Sequence, residues 1–205
     1  MPILLRLFAI VAMILPAQTA LAQAGETPAA LAAPAVDPAN IWVLDLSTGG
    51  TVRILMRPDV APNAVERIKT LTRAGFYDGV IFHRVIPGFM AQGGDPDGTG
   101  QGGSELPDLK AEFNKLPHLR GTVSMARTDA PDTANSQFFI MFVPNFGLDG
   151  RYTAFGRVIS GMEFVDAIHQ GEPPVDPSRV VRARIEGDPP RAASVDPKPA
   201  DPLVD

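Results

Sequence analysis

The 205-residue sequence predicts a mainly β fold, a closed antiparallel β-barrel capped by two α-helices. Three observations point there. Short runs rich in Val, Ile, Phe and Thr recur between Gly, Pro and Asp, which is the pattern of strands joined by turns. Only two segments carry helical spacing. No internal repeat is present, and many strands with two helices suit one barrel with helical caps.

The elements follow in chain order. MPILLR places one positive charge, Arg6, ahead of the apolar run Leu7 to Leu15, and Ala20-Leu21-Ala22 offers small residues where a signal peptidase reads. The apolar run stops at Pro16 and Gln18, short of the ~20 residues that cross a bilayer. The expectation is a cleaved signal peptide over 1–22, no stable membrane span, and export to a bacterial periplasm. Removing Arg6 with the signal takes the formal charge from −5 to −6. Residues 23–39 read as an Ala/Pro-rich linker and 187–205 as a disordered Pro/Asp-rich tail, leaving 40–186 as the folded domain.

Within that domain, IWVLDLSTG and GTVRILMR form a hairpin around Thr48-Gly49-Gly50. PNAVERIKTLTRA sets Val65, Ile68 and Leu71 on one helical face, and Gly75 ends it. VIFHRVI, GTVSMA, SQFFIMF, YTAFGRVI and VVRARIE are further strands. Ser160 and Glu163 have capping-box spacing ahead of a second helix, FVDAIHQ, which Gly171 closes.

Composition removes several function classes. Hydrophobic residues make up 45% and charged residues 20%, as in globular proteins, and no basic block exists to hold nucleic acid. Cysteine is absent, so no disulfide or thiol site can form. The three histidines, His83, His118 and His169, lack ligand spacing, and no metal or cofactor is expected. Gly98 to Gly103 matches G-x-G-x-x-G but lacks the strand and helix that a dinucleotide loop requires. Asp95 and Asp97 are too few for a calcium loop. Asp129 and Asp132 read as a solvated turn, and His83 as a structural, hydrogen-bonded histidine.

Strand alternation groups the remaining polar residues. In VIFHRVI, Phe82, Arg84 and Ile86 share one face; in SQFFIMF, Gln137 and Phe139 face one way while Phe138 and Ile140 enter a core. If these two strands are neighbours, Arg84 and Gln137 bracket a patch of Phe89, Met90 and Phe139. That describes an apolar pocket with one fixed cation and amides at its rim.

The residues FHRVIPGFMAQGGDP, GTVSMA, NSQFFI and LDGRYTAFGRV resemble the cyclophilin-type peptidyl-prolyl cis–trans isomerases, in order and over nearly all of the folded span. The resemblance implies an eight-stranded antiparallel barrel with two helical caps. It implies a catalytic role for Arg84, a proline pocket walled by Phe89, Met90 and Phe139, and backbone-holding amides at Gln92 and Gln137. Ala126, Arg127, Leu148 and Tyr152 join the same substrate site. Three positions depart from the family pattern: Arg127 replaces the usual Asn, Gly147 a frequent Trp, and Tyr152 a common His. The implied partners are proline-containing polypeptides, taken up by a monomer that assists folding of exported proteins. The competing class is a proline-peptide binding module or holding chaperone with little catalysis.

Overall fold

The computed structural model describes residues 36–191. The expected signal peptide, most of the linker and the tail from 192 onward lie outside the described residues. Eight strands form one curled antiparallel sheet in the order β3-β4-β6-β5-β7-β2-β1-β8. They are β1 (Ile41–Leu46), β2 (Gly50–Met56), β3 (Arg84–Ile86), β4 (Met90–Gly93), β5 (Thr122–Met125), β6 (Phe138–Met141), β7 (Ala154–Ser160) and β8 (Val180–Ile185). Two α-helices accompany them among the described residues, α1 (Pro62–Arg73) and α2 (Met162–Asp166).

Register sorts this sheet into two faces. Val85, Ala91, Ile140 and Val123 stand level across β3, β4, β6 and β5, and all four are buried in the main core. One residue along, Arg84, Gln92, Phe139 and Ser124 stand level on the opposite face. The inner face is filled with bulky groups: Trp42 meets Tyr77 and Phe138 edge-on at centroid distances of 5.2 and 4.8 Å, the favoured geometry for aromatic pairs. Helix α1 adds Ala64, Val65, Ile68 and Leu71 to that core, and α2 adds Val165. Pro62 opens α1, and its unpaired first amides are capped from afar: Asn63 and Ala64 each donate to the Glu112 carboxylate at 2.9 Å.

Several expectations need correction. An eighth strand, β4, which the sequence does not announce, separates β3 from β6, so the Arg84 and SQFFIMF strands are not neighbours. Phe82 does not share the face of Arg84. Phe82 and Val85 both enter the core, because regular pairing begins only at Arg84. No continuous ladder closes the barrel between β3 and β8: the isolated bridge Ile81↔Arg179 links the segments just before these strands, and Val85↔Gly171 ties β3 to the loop after α2. Helix α2 starts on Gly161 in the left-handed region with no side-chain cap, so Ser160 and Glu163 form no capping box, and it ends at Ala167 rather than Gly171. The described structure continues on both sides of 40–186. A 3-10 helix spans Pro38–Asn40, Asp188 pairs with Arg73 at 2.8 Å, and Arg191 pairs with Asp78.

Candidate active site

A cavity of about 250 Å³ opens on the outer face, lined by Arg84, Phe89, Met90, Gln92, Ala126, Arg127, Phe139, Leu148 and Tyr152. These are nine of the ten residues that the sequence points to. The tenth, Gln137, stands behind the wall: its amide nitrogen donates to the Gly100 and Gly102 carbonyls at 3.0 and 2.8 Å, and its oxygen accepts from Gln92 Nε2 at 2.8 Å. Two larger hollows, of about 710 and 420 Å³, lie elsewhere, and neither has a Phe, Tyr or Trp wall.

The floor is built from β4 and β6. Met90, Phe139, Met141 and Ala126 form a second buried cluster, separate from the barrel core, with Ile86, Phe89, Leu148 and Tyr152 packed around it. Phe139 stacks on the His118 ring on one side, at 6.1 Å between centroids, and meets Tyr152 edge-on at 5.6 Å on another. Two neighbouring glycines release the chain after Gln92. At Gly94 (φ +91°) a Cβ would lie 2.5 Å from the Ser136 carbonyl oxygen, so only glycine lets β4 turn away beside β6.

Arg84 reaches the cavity at the end of β3. Its Nε donates to Glu172 Oε2 at 2.7 Å, and its two terminal amino groups have no hydrogen-bond partner among the described residues. Arg127 is different. Its guanidinium donates to the carbonyls of Thr128, Asp129 and Arg151 at 2.7–3.2 Å and lies 4.5 Å from the Tyr152 ring centroid. Each of its three nitrogens donates to the wall itself, so with Arg in place of Asn it is Arg84 that keeps both terminal amino groups free at the cavity. Beside these, the Ala126 N–H donates to the Gln137 carbonyl at 2.9 Å, while the Ala126 carbonyl accepts no hydrogen bond among the described residues.

Sequence reasoning missed the layer beneath. His118 Nδ1 lies 2.8 Å from Asp149 Oδ1, which also accepts the His118 backbone N–H at 2.9 Å, and His118 Nε2 lies 2.9 Å from Ser124 Oγ. With Nδ1 donating to the carboxylate, Nε2 accepts from the hydroxyl. The hydrogen bond from His118 holds the Asp149 carboxyl below its usual range. The connectivity is that of a serine hydrolase triad, yet Ser124 is fully buried and outside the cavity, so no substrate carbonyl can reach it. Its work is to fix the ring under Phe139. No spacing in the sequence announces these partners, nor Glu172.

His83 also departs from expectation. It is buried, but neither ring nitrogen has a hydrogen-bond partner. Burial lowers its pKa, opposed by Asp95 and aided by Arg84, so the neutral ring is favoured. Burial disfavours the Asp95 carboxylate too, but hydrogen bonds from the Asp97, Gly102 and Gly100 amides and the Thr99 hydroxyl outweigh it and hold that carboxyl below its usual range.

A cavity with aromatic walls and a free-ended arginine on the outer face of an eight-stranded antiparallel barrel-like sheet is a cyclophilin arrangement. The family model described as cyclophilin type peptidyl-prolyl cis-trans isomerase/CLD matches residues 43–186. The chain therefore belongs to the cyclophilin-type peptidyl-prolyl cis–trans isomerases, enzymes that interconvert the two forms of X–Pro peptide bonds. It is 48% identical over 172 residues to a probable peptidyl-prolyl cis-trans isomerase of Brucella suis, covering 76% of this chain and 87% of that protein. Over 129 residues it is 43% identical to peptidyl-prolyl cis-trans isomerase B of Bacillus subtilis, covering 62% of this chain and 89% of that protein. Among solved structures, the cyclophilin AquaCyp293 from Hirschia baltica superposes with a TM-score of 0.68 at 31% identity, covering 73% of this chain and 75% of that one. A Cryptosporidium parvum cyclophilin crystallised in the presence of the dipeptide Ala-Pro gives a TM-score of 0.67 at 30% identity, covering 72% of this chain and 99% of that one.

Proposed function

We propose that Arg84 catalyses prolyl isomerisation electrostatically. The prolyl ring sits against Phe89, Met90, Phe139, Leu148 and Tyr152, and Gln92 with the Ala126–Arg127 backbone holds the peptide. The observation that carries this reading is the pair of uncommitted terminal amino groups on Arg84 at the edge of a cavity walled by Phe89, Met90, Phe139, Leu148 and Tyr152. Gln137 enters as the brace of Gln92 and of the neighbouring loop.

The chemistry fits those groups. Rotation about a peptide bond costs ~18–20 kcal/mol because nitrogen shares its lone pair with the carbonyl. At X–Pro the isomers have similar energies but interchange over ~10–100 s unaided. No bond breaks and no proton has to move. In the twisted state the prolyl nitrogen regains its lone pair and becomes an acceptor. A guanidinium, charged at every ordinary pH and with rigid donors, binds that state more tightly than the planar one. The apolar walls hold the ring while the acyl side turns.

Arg84→Ala should lower kcat/KM on a proline peptide by about 10²–10³, as for other lost transition-state donors. The measurement is NMR exchange in a protease-free assay. An unchanged rate removes the assignment, and a wild type that binds peptide without turnover favours the binding-module reading.

The same proposal places the enzyme outside the cytoplasm, acting on exported chains. Its support is the charged start, apolar run and Ala20-Leu21-Ala22 at the N-terminus. N-terminal sequencing of the fractionated protein should find Gln23 first, in the periplasm. An intact Met1 in the cytoplasmic fraction refutes export.

A further inference from the structure

We infer that Glu172 is the positioning residue that aims Arg84, an inference that rests on the catalytic reading above. Three features converge on it. Val85 and Gly171 exchange two backbone hydrogen bonds, at 2.8 and 3.0 Å, in a bridge isolated from the sheet ladders. This seam sets the residue after Gly171 beside the residue before Val85. Gly171 adopts φ +143°, and a Cβ there would meet Pro174 Cα at 2.7 Å, so the fold of this loop excludes a side chain at 171. The carboxylate so delivered takes the Arg84 Nε–H at 2.7 Å.

The pair is open to solvent, with the side chains 41% and 51% exposed, so burial does not force the two groups together. Glu172 is the only acidic partner of Arg84 among the described residues, and the other cavity guanidinium, Arg127, is held by carbonyls instead.

The consequence is geometric. An arginine on a strand end samples many rotamers, and a reaction that depends on directed donors loses rate when those donors wander. A short charge-assisted bond to Nε fixes the guanidinium plane and leaves both terminal amino groups for the substrate. The carboxylate also weakens the net positive field at the reacting amide. Glu172 thus trades raw charge for aim, and the trade is sensitive to salt because the pair is exposed.

The test compares wild type, Glu172→Ala, Glu172→Gln, Arg84→Ala and the Arg84→Ala/Glu172→Ala double variant in full-length protein, with kcat and KM on one proline peptide from NMR line shapes. Glu172→Ala should lower kcat about two- to fivefold with KM little moved, the range of an exposed pair. Glu172→Gln, which keeps a neutral acceptor, should recover to within about twofold of wild type. In the Arg84→Ala background, removing Glu172 should change nothing further. The Arg84 Nε–H resonance should be protected from exchange in wild type and Glu172→Gln and lost in Glu172→Ala, a signature that a purely structural role would not move. A Glu172→Ala rate equal to or above wild type, or the same fractional loss with and without Arg84, overturns the positioning role. A wild-type rate in Arg84→Ala sinks the catalytic assignment on which it rests, whereas loss in Arg84→Ala beside an unaffected Glu172→Ala overturns the positioning role alone.

Discussion

Phe138 and Phe139 are consecutive in β6, and their surroundings differ in kind. Phe138 is fully buried in the barrel core, edge-on to Trp42, Tyr77 and Phe82. Phe139 lies on the other face, between a hydrogen-bonded histidine and Tyr152, and borders an open cavity. One strand therefore separates two tasks by its pleat alone. The inner face supplies hydrophobic burial, and the outer face presents a small apolar surface over a polar support. A short strand can do this because alternation costs no extra chain.

That contrast can be broken by matched substitutions. Phe138→Ala should destabilise the domain by about 4 kcal/mol, since it empties a packed aromatic site that cannot collapse. Phe139→Ala should cost about half as much, because the space it vacates joins a cavity that already exists. Denaturant unfolding measures both. The order reverses for turnover: Phe139→Ala should lower kcat/KM on the order of tenfold to a hundredfold, as for lost pocket contacts. Phe138→Ala should leave the folded fraction active. Equal effects on stability and turnover at the two positions would show that the faces are not independent.

The smallest effect sharpens the comparison at its edge, where His83 is buried next to Arg84. Burial depresses its pKa, so the unfolded chain, titrating near ~6.5, takes up protons first. Stability from this group is complete above ~pH 6.5 and declines as pH falls towards the lower folded value, by at most ~1.4 kcal/mol per pH unit. His83→Gln should flatten the stability profile between about pH 7 and 5 in urea titrations. Asp95 acts in a separate window. Its folded pKa is lowered, so its contribution is present above ~pH 3.9 and lost below it. A slope between pH 7 and 5 that survives His83→Gln would assign it elsewhere.

Much of this architecture was legible in the sequence, for identifiable reasons. The β1–β2 hairpin and α1 declare themselves through long, regular periodicity, and the alternation of SQFFIMF separates Phe138 from Phe139 correctly. Of the nine cavity residues, alternation grouped Arg84 with Phe89, Met90 and Phe139, whereas Gln92, Ala126, Arg127, Leu148 and Tyr152 were legible only through the family motif. What escaped was short or non-local. β4 has four residues of mixed polarity and gives no periodic signal, so nothing local marks the strand between those of Arg84 and Phe139. Extending alternation back to Phe82 failed because the backbone is irregular before Arg84. The missed capping box reflects Gly161, whose left-handed backbone starts α2 without help from Ser160. Glu172 and Asp149 lie 88 and 31 residues from their partners, beyond any local pattern.

The segment from Asp95 to Ser104 has no strand or helix, yet hydrogen bonds secure it throughout its length. The Asp95 carboxylate gathers the Asp97 and Gly100 amides and the Thr99 hydroxyl, the Gln137 amide grips the Gly100 and Gly102 carbonyls, and Asn135 clasps Ser104. Folding has thus already spent the entropy of arresting this rim. A polypeptide docking beside Gln92, as proposed above, would meet a surface that needs no further ordering, and preorganisation of that kind strengthens binding by lowering its entropic cost.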